Sequence, residues 1–154
     1  MNKTCVVGLA LALNATIVCA GGWEYSTETD EMTDKRVTWA KVTSSNSLSL
    51  KFPYQGKNEA DLFIKRTEGA STYVLIRLKK GQILKYPALV RFDEDEAIEL
   101  ASFPLENDPT VAALGGPTIF IDHAKTAKAI RVQLWFYQDG KQVLRFETPT
   151  PLKW

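Results

Sequence analysis

The sequence carries 154 residues with 19 Lys+Arg against 18 Asp+Glu and a single histidine, a formal net charge of +1. A balanced chain lacks the basic excess, gathered on one face, that nucleic-acid binding requires, and its densest basic clusters, Lys79-Lys80 and Lys125 with Lys128, are too thin to hold a phosphate backbone. One histidine and two cysteines leave little material for nucleophilic triads, histidine acid-base chemistry or zinc sites.

Residues 1–20 have the parts of a cleavable secretory signal peptide in the right order. Met1-Asn2-Lys3 is the short basic start, and residues 5–13 form an apolar run well short of the roughly 20 residues that span a bilayer. Val18 and Ala20 then occupy the two small-residue positions read by signal peptidase, so cleavage is expected after Ala20 and the exported protein begins at Gly21. The alternative, lipidation of Cys19, asks for a small residue directly before the cysteine and usually leucine three before it; Val18 and Thr16 stand there instead. Cleavage removes Cys5 and Cys19, so the product has no thiol for disulfides, catalysis or metal binding, although its compartment would permit disulfides. It also removes Lys3, leaving 18 Lys+Arg against 18 Asp+Glu. The 154 residues less these 20 leave 134, a length for one domain that buries some two thirds of its surface without covalent staples. A periplasmic or secreted location is expected, with no stable membrane insertion after cleavage.

The remaining residues alternate apolar and polar in short stretches broken by turn residues, the pattern of strands. Residues 23–27 place Trp23 and Tyr25 on one face, and residues 36–42 and 48–52 continue the theme. Residues 60–66 follow, and in residues 72–78 the run Tyr73-Val74-Leu75-Ile76 reads as a strand covered on both faces. Residues 89–93 and 97–103 form a further pair joined by the acidic turn Asp93-Glu94-Asp95-Glu96.

Residues 104–117 read as a loop, with Asn107-Asp108-Pro109 and Gly115-Gly116-Pro117 as breakers. A short strand is expected over residues 118–121. Asp122 is a candidate N-cap for a helix over residues 123–130, with Ala124, Ala127 and Ile130 on one face. The strongest hairpin closes the chain: Val132, Leu134 and Phe136 point inward, Asp139-Gly140 makes the turn, and residues 143–146 return. Pro149 and Pro151 keep the tail out of a central strand, and Trp154 docks its end. The expected fold is mainly β: a single antiparallel β-sandwich or bent sheet over residues 21–154, with one short helix before the C-terminal hairpin.

No catalytic constellation, metal site or cofactor site emerges from the motifs. His123 reads as an incidental surface histidine, and Gly115-Gly116-Pro117 lacks the lysine of a phosphate loop. Asp93-Glu94-Asp95-Glu96 lacks the glycine and distal glutamate of a calcium loop and reads as a solvated, edge-guarding turn, leaving calcium binding open. Residues 28–34 are a second acidic cluster of the same kind. The aromatics Trp23, Tyr25, Trp39, Phe52, Tyr54, Trp135 and Tyr137 suit either a core or a wet recognition surface.

Several landmarks recur in order along the chain: Trp23-Glu24-Tyr25, Asp30-Glu31-Met32-Thr33, Phe52-Pro53-Tyr54-Gln55-Gly56, Phe92-Asp93, Ala127-Lys128, and Tyr137-Gln138-Asp139-Gly140 through Phe146. In these the chain resembles small exported bacterial and prophage-associated envelope proteins, many of unknown function. More distantly it is similar to periplasmic accessory proteins of type VI secretion of the TagO or VasI kind. Those usually carry cysteines in the domain, whereas residues 21–154 have none. The resemblance implies a β-rich, non-enzymatic envelope domain with no catalytic residue to carry over.

Three functions follow as expectations. The first is a protein-binding module of the envelope, touching its partner through Trp23, Tyr25, Asp30, Met32, Tyr54, Asn107 and Asp108, and showing an exposed apolar patch or an unguarded edge strand. The second is an inhibitor or immunity protein that pushes residues 104–117 into a cell-wall hydrolase. The third is a carbohydrate-binding protein or carboxylate-based glycan enzyme, whose paired acids would stand roughly 5 to 10 Å apart.

Overall fold

The structure, a computed structural model, describes residues 22–154. The expected signal peptide and cleavage site, and both cysteines, lie outside the described residues. Ten strands and one helix follow in the order β1 (Glu24–Thr29), β2 (Arg36–Thr43), β3 (Ala60–Thr67), β4 (Thr72–Leu78), β5 (Ala88–Phe92), β6 (Ile98–Leu100), β7 (Ser102–Leu105), β8 (Asp108–Leu114), α1 (Pro117–Ala124), β9 (Ala129–Phe136) and β10 (Gly140–Glu147). They build two antiparallel sheets, one of six strands ordered β1-β2-β3-β4-β8-β7 and one of four ordered β10-β9-β5-β6. Among the described residues no helix is long and apolar enough to cross a membrane.

The period of two in the sequence sets the two inner faces. Cross-strand register lines up Ala40, Ile64, Val74 and Leu114 in one row of the larger sheet, and Val42, Leu62, Ile76 and Ala112 in the next. The smaller sheet answers with Val90, Val132 and Leu144, and with Phe92, Ile130 and Phe146. All belong to one continuous buried cluster, which makes the fold a sandwich. Burying each of these side chains other than the alanines contributes about 1.5–3 kcal/mol relative to leaving it in water.

The C-terminal hairpin has the expected inward set, with Val132, Leu134 and Phe136 fully buried. Its turn differs in detail. Gly140 pairs with Phe136, so the loop is Tyr137–Asp139, and the left-handed residues are Gln138 (φ 65°) and Gly140 (φ 65°). Trp154 packs against the core at the tail's end, with the Arg66 guanidinium 4.7 Å over its ring.

Four expectations are corrected. Residues 48–52 are not a strand: the excursion between β2 and β3 drops Leu48 and Leu50 into the core without joining a ladder. The expected strand over residues 97–103 is two strands, because the chain leaves the smaller sheet after Leu100 and enters the larger one at Ser102. Residues 104–117 are not a loop. They hold most of the β7–β8 hairpin, turned at Glu106-Asn107, and Pro104 is tolerated because β7 is an edge strand needing no outward N–H.

The helix is also displaced. It runs Pro117–Ala124, takes in the expected strand over residues 118–121, and stops where the expected helix began. Pro117 sits in the first helical turn, where its missing N–H costs nothing, and Gly116 supplies a left-handed cap (φ 64°). Asp122 is therefore not an N-cap; it lies in the last turn, 3.7 Å from Lys125. Ala127 and Ile130 are buried, but from a connection and from β9 respectively.

Candidate recognition groove

Residues of odd number on β2, β3 and β4 point away from the core, and the sequence puts apolar side chains on that face too. One register row crosses all six strands: Glu24, Lys41, Phe63, Leu75, Ala113 and Phe103. Beside it runs Ser26, Trp39, Lys65 and Tyr73, and on its other side Thr43, Asp61, Arg77 and Val111. Among the described residues no second layer covers these rows. A groove of about 540 Å³ lies over the row centre, flanked by β1 and the start of β8, with Trp39, Phe63, Leu75 and Val111 on its floor. The expectation that Tyr73-Val74-Leu75-Ile76 is covered on both faces is thus corrected: Val74 and Ile76 are buried, whereas Tyr73 is half exposed and Leu75 lines the groove.

Charges organise this floor. Lys65 Nζ lies 4.7 Å over the Trp39 ring and the Arg77 guanidinium 4.7 Å over Phe63, while Trp39 and Phe63 meet edge to face at 5.8 Å. Lys41 pairs with Glu24 at 3.1 Å, and Arg77 with Asp61 at 3.1 Å. Trp39 Nε1 donates to Glu28 Oε1 at 3.3 Å, which fixes indole and carboxylate together. Asp108, on the facing wall, accepts from the Thr110 amide and hydroxyl at 3.1 and 2.6 Å. Neither Glu28 nor Asp108 forms an ion pair among the described residues.

Of the seven candidate contact residues, the groove brings together two, Tyr25 and Asp108. Tyr25 stands at the margin, its hydroxyl accepting from the Lys153 amide at 2.9 Å. Trp23 is corrected to a core residue, only 4% exposed, and cannot meet a partner. Asp30 caps its own turn by accepting from the Met32 and Thr33 amides. Met32 is 92% exposed on that turn, away from the groove lining. Tyr54 packs half-buried against the core, and Asn107 is exposed at the β7–β8 tip. Phe63, Leu75, Lys41 and Val111 were not singled out by sequence, although apolar residues on both faces of β3 and β4 were the signal for them.

The acidic turn is structural. Asp93 takes a left-handed backbone (φ 48°) and its Oδ1 accepts from the Lys128 and Ala129 amides at 2.8 and 2.9 Å. Glu94 bridges Arg91 and Arg131 at 3.3 and 3.1 Å, bracing β5 against β9. No group of three or more metal-ligating side chains occurs among the described residues. His123 is exposed in the last turn of α1, its ring stacked on Phe92 at 4.8 Å. Elsewhere, Lys57 and Lys79 hydrogen-bond Glu59 and hold its carboxyl below the usual glutamate range.

Compared with known proteins, the chain matches no family model, no curated protein and no solved structure.

Proposed function

We propose that this protein is an exported, non-catalytic recognition module of the bacterial envelope that holds a segment of another protein in the groove of its six-stranded sheet. The observation that carries the reading is the uncovered floor of Trp39, Phe63, Leu75 and Val111, ringed by charge. Aromatic anchors inside a polar rim are the usual anatomy of a protein-binding patch. A secretion-system accessory role is the setting implied by the resemblance described above.

The other two readings find less support. The protruding loop required of a hydrolase inhibitor is a β-hairpin with a tight turn. A sugar seeks bare ring faces, and here Lys65 and Arg77 lie over Trp39 and Phe63. Glu24 and Glu28, four residues apart on one strand, are separated by roughly 13 Å, too far for a glycosidase pair.

Leu75→Glu tests the groove directly. Its side chain leaves the core untouched, so circular dichroism should be unchanged, while a carboxylate on an apolar floor should weaken partner retention from periplasmic extract by about 2 kcal/mol, roughly 30-fold. Undiminished retention would reject the groove. Export is tested separately by intact-mass analysis of the periplasmic product: the chain is expected to start at Gly21, and a lipid on Cys19 would refute that.

A further inference from the structure

The two sheets have four edges, and three of them are protected. On the free side of β10, Ser45 N donates to Arg145 O at 2.7 Å, Asn46 Nδ2 to Val143 O at 2.9 Å, and Arg145 N to Asn46 Oδ1 at 2.8 Å, so the excursion between β2 and β3 occupies that edge. The β7 edge carries Pro104 and a register break between Pro104 and Leu105. The β6 edge is only three residues long. Proline, bulges, short strands and covering segments are the recognised ways of closing an edge to added strands.

The fourth edge, β1, has none of these; the only charges it carries, Glu24 and Glu28, are acidic and oppose an acidic strand rather than a basic one. Its residues Glu-Tyr-Ser-Thr-Glu-Thr include no proline and no lysine, its register with β2 is unbroken, and all but Glu24 are exposed. Asp30 N donates to Lys35 O at 2.9 Å, continuing the same register, so the even-numbered residues of β1 bond to β2 and the main chains of Tyr25, Thr27 and Thr29 face outward. Those outward groups have no hydrogen-bond partner among the described residues. The same strand walls the groove through Glu24, Ser26 and Glu28.

We infer that β1 is the docking edge: an extended, basic segment of a different protein adds as a seventh strand and directs a cationic side chain at Glu28. This rests on the recognition role proposed above and specifies its partner. Main-chain bonds would supply affinity, while alternate side chains of the added strand reach the groove. Charge selects the occupant. Among the described residues neither Glu28 nor, across the groove, Asp108 has a cationic partner. A second copy pairing antiparallel about Ser26 would instead set Glu24 of one chain opposite Glu28 of the other on both sides, like charges that oppose pairing.

The probe is a synthetic Thr/Val peptide with arginine at alternate positions, compared with the same peptide carrying glutamate there. With the purified protein, the arginine peptide should slow hydrogen exchange at Tyr25, Thr27 and Thr29 and bind about tenfold tighter than the glutamate peptide, with the difference shrinking in high salt. Thr27→Pro deletes one outward N–H without touching the β2 ladder and should weaken binding about tenfold, whereas Thr27→Ala should not. No slowing at these amides, or equal binding to Thr27→Pro, overturns strand addition. Equal binding of both peptides overturns the charge assignment, and a dimer in sedimentation that Thr27→Pro dissolves overturns the choice of partner. If Leu75→Glu abolishes peptide binding while Thr27→Pro does not, the groove stands and the edge falls; the reverse result rejects the groove and keeps the edge.

Discussion

Phe120→Ala should lower the stability of the fold by about 3–5 kcal/mol, seen as a drop of roughly 10–20 °C in the melting midpoint. The residue is fully buried and meets Phe92 edge to face at 5.2 Å, joining α1 to the smaller sheet. α1 has eight residues and no side-chain cap at its N-terminus, so it cannot persist by local propensity. What holds it is the buried stripe Phe120, Ile121 and Ala124. Truncating the largest member leaves a cavity that neighbours on two elements cannot fill. The groove lies on the opposite face of the larger sheet, so binding at a temperature where the variant remains folded should persist. A midpoint within a few degrees of the parent would mean that α1 contributes little to the core.

Asn58→Ala should cost about 2–3 kcal/mol, measured by denaturant unfolding. Asn58 is fully buried, and its amide donates to Lys80 O at 2.8 Å while its carbonyl accepts from Lys80 N at 3.1 Å. Its main chain accepts from Leu48 N and donates to Ser47 Oγ, so one residue ties the excursion between β2 and β3 to the chain beyond β4. Alanine keeps the main-chain bonds but strands the Lys80 peptide groups. Asn58→Asp should be worse at neutral pH, since it buries a carboxylate opposite a carbonyl. Burial raises the folded-state pKa of that new acid above its unfolded value, so the deficit should shrink as pH falls through the folded pKa and the protonated acid regains a donor. A deficit that grows on acidification would contradict this account.

The C-terminal hairpin was legible because Val132, Leu134 and Phe136 alternate with polar or amphipathic residues on a strand with one covered face. The β7–β8 hairpin was not, because Pro104, Pro109 and Gly115-Gly116 are turn signals that a sheet edge and a helix start accommodate equally well. The helix shifted for a related reason. Ala124, Ala127 and Ile130 do have helical spacing and are all buried, but three different pieces of chain bury them. The groove was the least legible. Apolar residues on both faces of β4 are what a doubly covered strand needs, and the local pattern is unchanged when the second face stays open. Only the arrangement of whole sheets separates the two cases, which is why Tyr25 and Asp108 could be singled out while Phe63 and Leu75 were not.

The cover over β10 has a consequence in time as well as in space. Ser45 and Arg145 are separated by 100 residues, so this edge cannot be closed until the last strand has been made and has docked. Bonds between such distant residues are slow to form, because a long loop must close before they give any return. Between the docking of β10 and the arrival of Ser45 and Asn46, the chain presents a second open ladder, of Val143 to Arg145, that the finished protein conceals. The period before Ser45 and Asn46 settle is when this chain is most exposed to wrong pairings.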